Sequence, residues 1–80
     1  MINNPSDVNS RQTFTEFVRS LNAENKQKWE GQRIDDFLER LSVYAEDIDG
    51  YYKNNNISVN PDKPSWRLFA DMLRGASIYE

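Results

Sequence analysis

The sequence contains no cysteine and no histidine, and these two absences remove most familiar active-site chemistry. Without cysteine there is neither a disulfide framework nor a thiolate metal site. Without histidine the chain lacks the commonest general base and the usual zinc ligand. Ordinary zinc sites, histidine-activated nucleophiles and thiol redox chemistry are therefore excluded. We expect no metal, no cofactor and no catalytic residue, and hence a protein that is not an enzyme.

Clusters of positive charge and long apolar runs are also missing. Ten Lys and Arg residues stand against 13 Asp and Glu, which gives a net charge of −3, whereas a nucleic-acid interface needs a concentrated basic face. The opening MINNPSDVNS has neither the positive region nor the apolar core of a signal peptide, and no segment approaches the length of a membrane span. We therefore expect a cytoplasmic protein that binds neither nucleic acid nor membranes.

What is present is the composition of a small folded domain. The chain has 80 residues, of which 38% are hydrophobic, and it includes four phenylalanines, four tyrosines and two tryptophans. This content is too apolar for a disordered chain, and the length suits one domain. Residues 1–9 are polar and include Pro5. We expect a flexible arm over 1–9 and a single helical domain over 10–80.

Apolar residues recur at helical spacing in three segments, which predicts an all-α fold. Each segment repeats apolar positions at i, i+3, i+4 and i+7, the pattern of one helical face. The polar connector between the first two segments is compatible with one short extra turn. The predicted compact three-helix domain has helices over about residues 10–22, 33–49 and 65–78, with a long loop over 50–64.

Capping residues mark the predicted helix ends. Ser10 and Ser65 are good N-caps for the first and third helices. Gly50 stands where a left-handed residue would stop the second helix. Two i,i+4 ion pairs are expected to support the helices: Asp36 with Arg40, and Arg67 with Asp71 on the outside.

A three-helix core of this size must draw nearly every large apolar side chain inward, because their burial offsets chain entropy. Tyr79 is expected to cover the core as a lid. The predicted core consists of Phe14, Phe17, Leu21, Phe37, Leu38, Leu41, Ile48, Trp66, Phe69 and Leu73.

Several segments resemble a known family. They are WEG, FLERL, YAEDIDGYYKN, PSWRLFADML and the closing YE. Together they resemble a family of small acidic bacterial proteins known only as a domain of unknown function, from about residue 9 to the end. The resemblance implies a bacterial origin and a stand-alone domain. It carries no catalytic residue, cofactor or substrate.

The segment EDIDGYYKNNN at residues 46–56 resembles part of a calcium loop, but its ligands do not fit one. If Gly50 were the turn glycine at position 6, Asp47 and Asp49 would occupy positions 3 and 5. Ala45 would then stand at position 1 and Asn56 at position 12, where an EF-hand needs a carboxylate and a bidentate glutamate. The segment is better interpreted as the end of a helix.

That helix end carries more negative charge than a C-terminus favours. Glu46, Asp47 and Asp49 crowd the last predicted turn, where the helix dipole disfavours anions. A compensating partner is therefore expected, either at the start of the third helix or in another protein, and we favour the first. The candidates within the chain are Trp66, Arg67 and Arg74.

A second feature of the same helix is an acidic stripe. Its members share one helical face and include no basic residue, so they form either a solvated surface or a ridge that attracts a basic partner. Tyr51 and Tyr52 lie outside the apolar stripe and suit either an interface or the edge of the core. The acidic stripe consists of Asp35, Glu39, Ser42, Glu46 and Asp49.

Three hypotheses follow from these features. The first is a non-catalytic protein-binding module, in the manner of an immunity protein or antitoxin, which engages a basic or aromatic-accepting surface of another protein through the acidic stripe and the Tyr51–Tyr52 corner. The second is a metal- or small-ligand-dependent carboxylate enzyme built around Asp47, Asp49 and Tyr52. The third is a homodimeric structural protein, so the expected state is a monomer or a weak homodimer. The predicted partner-binding residues are Asp35, Glu39, Glu46, Asp47, Asp49, Tyr51 and Tyr52.

Overall fold

A computed structural model describes residues 2–24 and 26–78, and its regular elements are all helical. The predicted all-α class is confirmed, with no strand in the described ranges. The three longer helices correspond to the three predicted ones, and a short helix occupies the connector. Tyr79 lies outside the described residues. The elements are a one-turn 3-10 helix Pro5–Asp7, α1 Arg11–Glu24, α2 Lys26–Glu30, α3 Ile34–Asn54 and α4 Trp66–Ile78.

The predicted serine caps begin α1 and α4. The Ser10 hydroxyl accepts the backbone N–H of Thr13 at 3.1 Å, and the Thr13 hydroxyl accepts the backbone N–H of Ser10 at 3.0 Å. This reciprocal pair satisfies donors that a helix start leaves free. The Ser65 hydroxyl likewise accepts the backbone N–H of Leu68 at 3.1 Å. Both predicted N-caps are confirmed.

The prediction that α3 stops at Gly50 is wrong, because the helix continues through Gly50 to Asn54. No glycine in the described residues has a positive φ; the left-handed residue is Asn56, with φ of 54°. The N–H of Ile57 bonds to the carbonyl of Tyr52 at 2.9 Å, and that of Asn56 to the carbonyl of Lys53 at 3.4 Å. These two bonds form a Schellman motif, in which an asparagine takes the place usually held by glycine.

Helix α4 is the centre of the fold. Both α1 and α3 pack against it, as does the 3-10 helix, whereas α1 and α3 make at most marginal contact with each other in the described structure. The core is therefore divided between two sides of α4. One cluster contains Val8, Phe17, Leu21 and Ala70, and the other contains Ile48, Tyr52 and Leu68.

Residues 2–9, the described part of the segment predicted to be a flexible arm, pack against α4. Val8 is only 2% exposed and joins the core cluster of α1 and α4. The Asn4 side chain accepts the N–H of Ser6 at 3.0 Å and caps the 3-10 helix. Arg74 of α4 donates to the carbonyl oxygen of Asn3 at 2.5 Å. The polar composition of residues 1–9 gave no indication of this packing.

The predicted core is confirmed only in part. Phe17, Leu21 and Ile48 are buried, but Leu38, Trp66 and Phe69 are exposed by 54%, 37% and 39%. The prediction is wrong for the last three: Leu38 and Phe69 lie in the space that α1 and α3 leave open over α4, and Trp66 is the first residue of α4. Phe14, Phe37, Leu41 and Leu73 are partly buried.

The expected ion pair between Asp36 and Arg40 does not form. Arg40 instead donates to the carbonyl of Ala76 at 3.3 Å and to the side-chain oxygen of Gln32 at 2.8 Å. Lys28 of α2 donates to the neighbouring carbonyl of Ser77. The last carbonyls of α4 have no partner within the helix, so cations from α2 and α3 stabilise that end better than a surface pair would.

Close approach between α3 and α4 occurs at Gly75, which makes a pair of glycine substitutions informative. A Cβ at Gly75 would overlap ring carbons of Tyr44, whereas a Cβ at Gly50 would meet nothing. We expect Gly50→Ala to raise the free energy of unfolding by about 1 kcal/mol through helix propensity. We expect Gly75→Ala to lower it by about 1 kcal/mol, because overpacking of about 2 kcal/mol exceeds the same gain.

Urea denaturation followed by circular dichroism measures both substitutions, and each serves as the control for the other. Opposite signs would confirm the close approach of Tyr44 to α4. An equal stabilisation by both alanines would contradict it.

Candidate functional site

The acidic stripe lies on the surface of α3, and all five of its residues are exposed. Successive residues of a helix are rotated by about 100°, so this spacing holds the five side chains within a narrow arc. Asp47 and Tyr51 fall about 120° and 160° away from Asp35 on the same scale. The structure therefore brings Asp35, Glu39, Glu46 and Asp49 together and separates Asp47 and Tyr51 from them.

Among the described residues, most carboxylates of this helix lack a cation. Asp35 forms an exposed ion pair with Arg33 at 3.0 Å, and Asp49 accepts the backbone N–H of Gly50 at 2.9 Å. Glu39, Glu46 and Asp47 have no ion pair in the described part of the chain. The stripe thus presents uncompensated negative charge to solvent.

The expectation that α4 neutralises Glu46, Asp47 and Asp49 is wrong. Arg67 pairs with Asp71 at 3.4 Å, and Arg74 pairs with Glu24 at 3.5 Å. The ring of Trp66 packs against the rings of Phe14 and Phe69. The difficulty that motivated the expectation also disappears, because α3 ends at Asn54 and the dipole acts mainly within the last turn.

The two adjacent tyrosines have different environments. Tyr52 is 3% exposed, and its hydroxyl donates to the Asp71 carboxylate at 2.6 Å. The interpretation of Tyr52 as a partner-binding residue is therefore wrong: it belongs to the core between α3 and α4. Tyr51 is 40% exposed and contacts the rings of Tyr44 and Tyr52.

A largely buried polar cluster links α3 to α4, and it consists of Tyr52, Arg67 and Asp71. Burial, reinforced by the hydrogen bond to Asp71, raises the pKa of the Tyr52 hydroxyl far above its usual range. Burial also raises the pKa of Tyr44, with Tyr51 and Asp71 acting in the same direction. Both phenols therefore stay protonated, and Tyr52 serves as a hydrogen-bond donor to a buried carboxylate.

The pair of Arg67 and Asp71 forms as predicted, but it is not on the outside. The Asp71 side chain is 7% exposed and that of Arg67 is 31% exposed. The buried Arg67 Nε lies 3.4 Å from the carboxylate without hydrogen-bond alignment, so the contact is electrostatic. A carboxylate so enclosed is stabilised by its cation and its phenol, because an unpaired buried charge is costly.

The arrangement does not favour the carboxylate-enzyme hypothesis. Asp47 and Asp49 are exposed and point to different sides of α3, whereas Tyr52 faces inward. The three groups hence do not converge on one substrate. In the described ranges no group of three or more acidic side chains is placed to hold a metal ion.

An apolar groove runs beside the acidic stripe, between α1 and α3, with α4 as its floor. Its volume is about 430 Å³, and Ser42 is both a member of the stripe and a lining residue. The stripe therefore borders the groove at Ser42, and its carboxylates form a rim outside the lining residues. The exposed Leu38 and Phe69 lie in it. The lining residues are Phe14, Leu38, Leu41, Ser42, Ala45, Phe69, Met72 and Leu73.

A second depression of about 360 Å³ adjoins the groove through Leu73. It lies between α1, the short α2 and the start of α3. There the rings of Trp29 and Phe37 pack edge to face, with 5.6 Å between their centroids. Neither depression was predicted from the sequence. The available signal was the width of the apolar stripe on α3, in which Phe37 with Leu38 and Tyr44 with Ala45 are adjacent pairs.

Comparison with curated proteins and with solved structures found no significant similarity. No helix in the described residues is long and apolar enough to cross a membrane. A family model does match the chain over residues 10–80, which agrees with the extent of the resemblance seen in the sequence. The chain therefore belongs to DUF7660, a family of unknown function.

Proposed function

We propose that the chain is a non-catalytic protein-binding module that engages a basic partner protein through the acidic stripe of α3. The observation that carries this proposal is the exposed row of carboxylates, of which Glu39 and Glu46 have no cation in the described structure. An unpaired row of like charges attracts an oppositely charged surface at long range and sets the register of the complex.

The internal alternatives for these charges are weak. The arginines of α4 pair with other carboxylates, and in the described structure Asp35 is the one stripe residue with a neighbouring cation, in a solvent-exposed pair worth little. A concrete form of the function is inhibition of a basic effector enzyme by a small acidic protein, as immunity proteins and antitoxins do. Net charge and size support that form.

Charge reversal tests the proposal. We expect Glu39→Lys, Glu46→Lys and Asp49→Lys together to weaken binding of a captured partner at least tenfold, about 1.4 kcal/mol, at low salt. The matched control is Glu16→Lys, Glu30→Lys and Asp62→Lys, which makes the same charge change at exposed positions outside α3. Quantitative affinity capture from the native host, followed by titration of the identified partner, provides the measurement.

A partner that binds the stripe variant as tightly as the control variant would show that the stripe is only a solvated surface. Loss of binding in both variants would assign the effect to net charge and would equally contradict a role for the stripe. Circular dichroism of each variant establishes that the fold is retained.

A further inference from the structure

We infer that the apolar groove beside the acidic stripe binds one amphipathic helix of the partner protein, with basic residues on the flank that faces α3. This inference rests on the proposed function and names the form of the partner. Helix-in-groove binding needs an apolar channel, a matching length and a rim that fixes orientation. The groove has all three.

The channel arises from the layout of the helices. Helices α1 and α3 both pack against α4, and in the described structure they leave the space between them open. A helix of the partner protein in that space would join the three longer helices and complete a four-helix bundle. Leu38 and Phe69 are 54% and 39% exposed there, so docking would remove apolar surface from water.

The length of the groove matches a helix anchor pattern. Along α3 its lining extends from Leu38 to Ala45, a separation of seven positions and about 10 Å at the rise of an α-helix. Anchors at i, i+4 and i+7 of a partner helix span the same distance. The volume of about 430 Å³ is of the size that holds several such side chains.

The rim determines the charge of the occupant. Glu39 and Glu46 flank Ser42 along α3, and neither has a cation in the described structure. A helix seated in the groove would bring one flank close to them, where Lys or Arg is favoured and Asp or Glu is disfavoured.

The same charges argue against other occupants. An anionic membrane surface would be repelled by the rim. A two-fold dimer through the groove would place the same acidic patch on both sides, in a chain of net charge −3. A small molecule would find one polar side chain, Ser42, in an otherwise apolar lining, and so few groups to orient it.

The test uses a displayed library of 18-residue helices with apolar residues at i, i+4 and i+7 and all other positions randomised. Selection is for binding to the full chain, and each selected helix is then titrated against the groove variant Leu38→Gln, Phe69→Gln. The matched control is Ile34→Gln, Ile78→Gln, because both isoleucines are exposed and neither lines the groove. Circular dichroism verifies each fold.

We expect the selected helices to carry Lys or Arg along one flank. Replacing those residues with Glu should weaken binding at least tenfold at low salt, and the groove variant should weaken it at least tenfold while the control variant does not. Methyl resonances of Leu38, Leu41, Met72 and Leu73 should shift on binding.

Four results would overturn the inference. The first two concern the selected helices: none binds the groove variant more weakly than the full chain, or their flanks are neutral or acidic. The other two are methyl shifts confined to residues outside the groove, and a concentration-dependent dimer of the chain that the groove variant abolishes. Basic helices that need the carboxylates of the stripe but not the groove would refute this inference and leave the proposed function standing. Helices that need the groove but tolerate charge reversal of the stripe would refute both.

Discussion

Replacing Asp71 with alanine is expected to lower the free energy of unfolding by about 3 kcal/mol, the effect of removing one partner from a buried ion pair. The Asp71 carboxylate accepts the Tyr52 hydroxyl at 2.6 Å and lies 3.4 Å from Arg67 Nε, with its side chain only 7% exposed. The substitution leaves a phenol without an acceptor and a guanidinium with a buried, uncompensated nitrogen. Urea denaturation followed by tryptophan fluorescence measures the loss.

A double-mutant cycle separates the hydrogen bond from the ion pair. Tyr52→Phe alone is expected to cost about 1.5 kcal/mol, since it removes a bond to a charged acceptor. With Asp71 already absent, the same change should cost much less. The surface control Asp62→Ala should stay within about 0.5 kcal/mol of the unsubstituted protein.

Replacement of the whole cluster by apolar groups provides a second check. Asp71→Leu, Arg67→Met and Tyr52→Phe together should cost less than Asp71→Ala, because no polar group then remains unpaired. If Asp71→Ala itself changes stability by less than about 1 kcal/mol, the cluster does not hold α3 to α4. The assignment of Tyr52 to the core would then lose its main energetic support.

The sequence alone identified the two residues at i,i+4 in this cluster but not its third member. Arg67 and Asp71 are recognisable as a pair by spacing. Tyr52 was not, because the helix was expected to stop at Gly50 and would then have left Tyr52 in a loop. Glycine marks a helix end only when its φ is positive, and sequence cannot show φ; here the asparagines after Lys53 supply the left-handed residue.

The helix caps and the candidate surface show the same difference between features that local sequence determines and features that tertiary packing determines. Ser10 and Ser65 could be assigned because N-capping is local. The acidic stripe could be placed because it depends only on helix periodicity. The groove could not, since periodicity identifies an apolar face without showing how much of it a neighbour covers. Leu38 and Phe69 satisfy the pattern as well as Phe17 does. They are exposed and Phe17 is buried because the space between α1 and α3 is open.

Val8 and Val18 give the sharpest test of how far burial can be predicted from periodicity, because sequence and structure place the two valines in opposite order of burial. Val18 belongs to the apolar face of the first helix, and Val8 lies in the segment predicted to be a flexible arm. In the structure Val8 is 2% exposed beside Phe17 and Ala70, whereas Val18 is 37% exposed. We expect Val8→Ala to lower the free energy of unfolding by about 2 kcal/mol, the sum of lost transfer free energy and a residual cavity.

Val18→Ala is the matched control, since it removes the same two methyl groups. Little buried surface is lost there, and alanine is the better helix former by about 0.5 kcal/mol, so the expected change is close to zero or slightly stabilising. Thermal and urea unfolding of the two variants give the comparison. A larger loss at Val18 than at Val8 would mean that residues 2–9 do not pack against α4 and that α1 is covered by something else. A loss of about 2 kcal/mol at Val8 alone would instead show that this segment is part of the domain, and it would extend the folded unit beyond the residues that the family model matches.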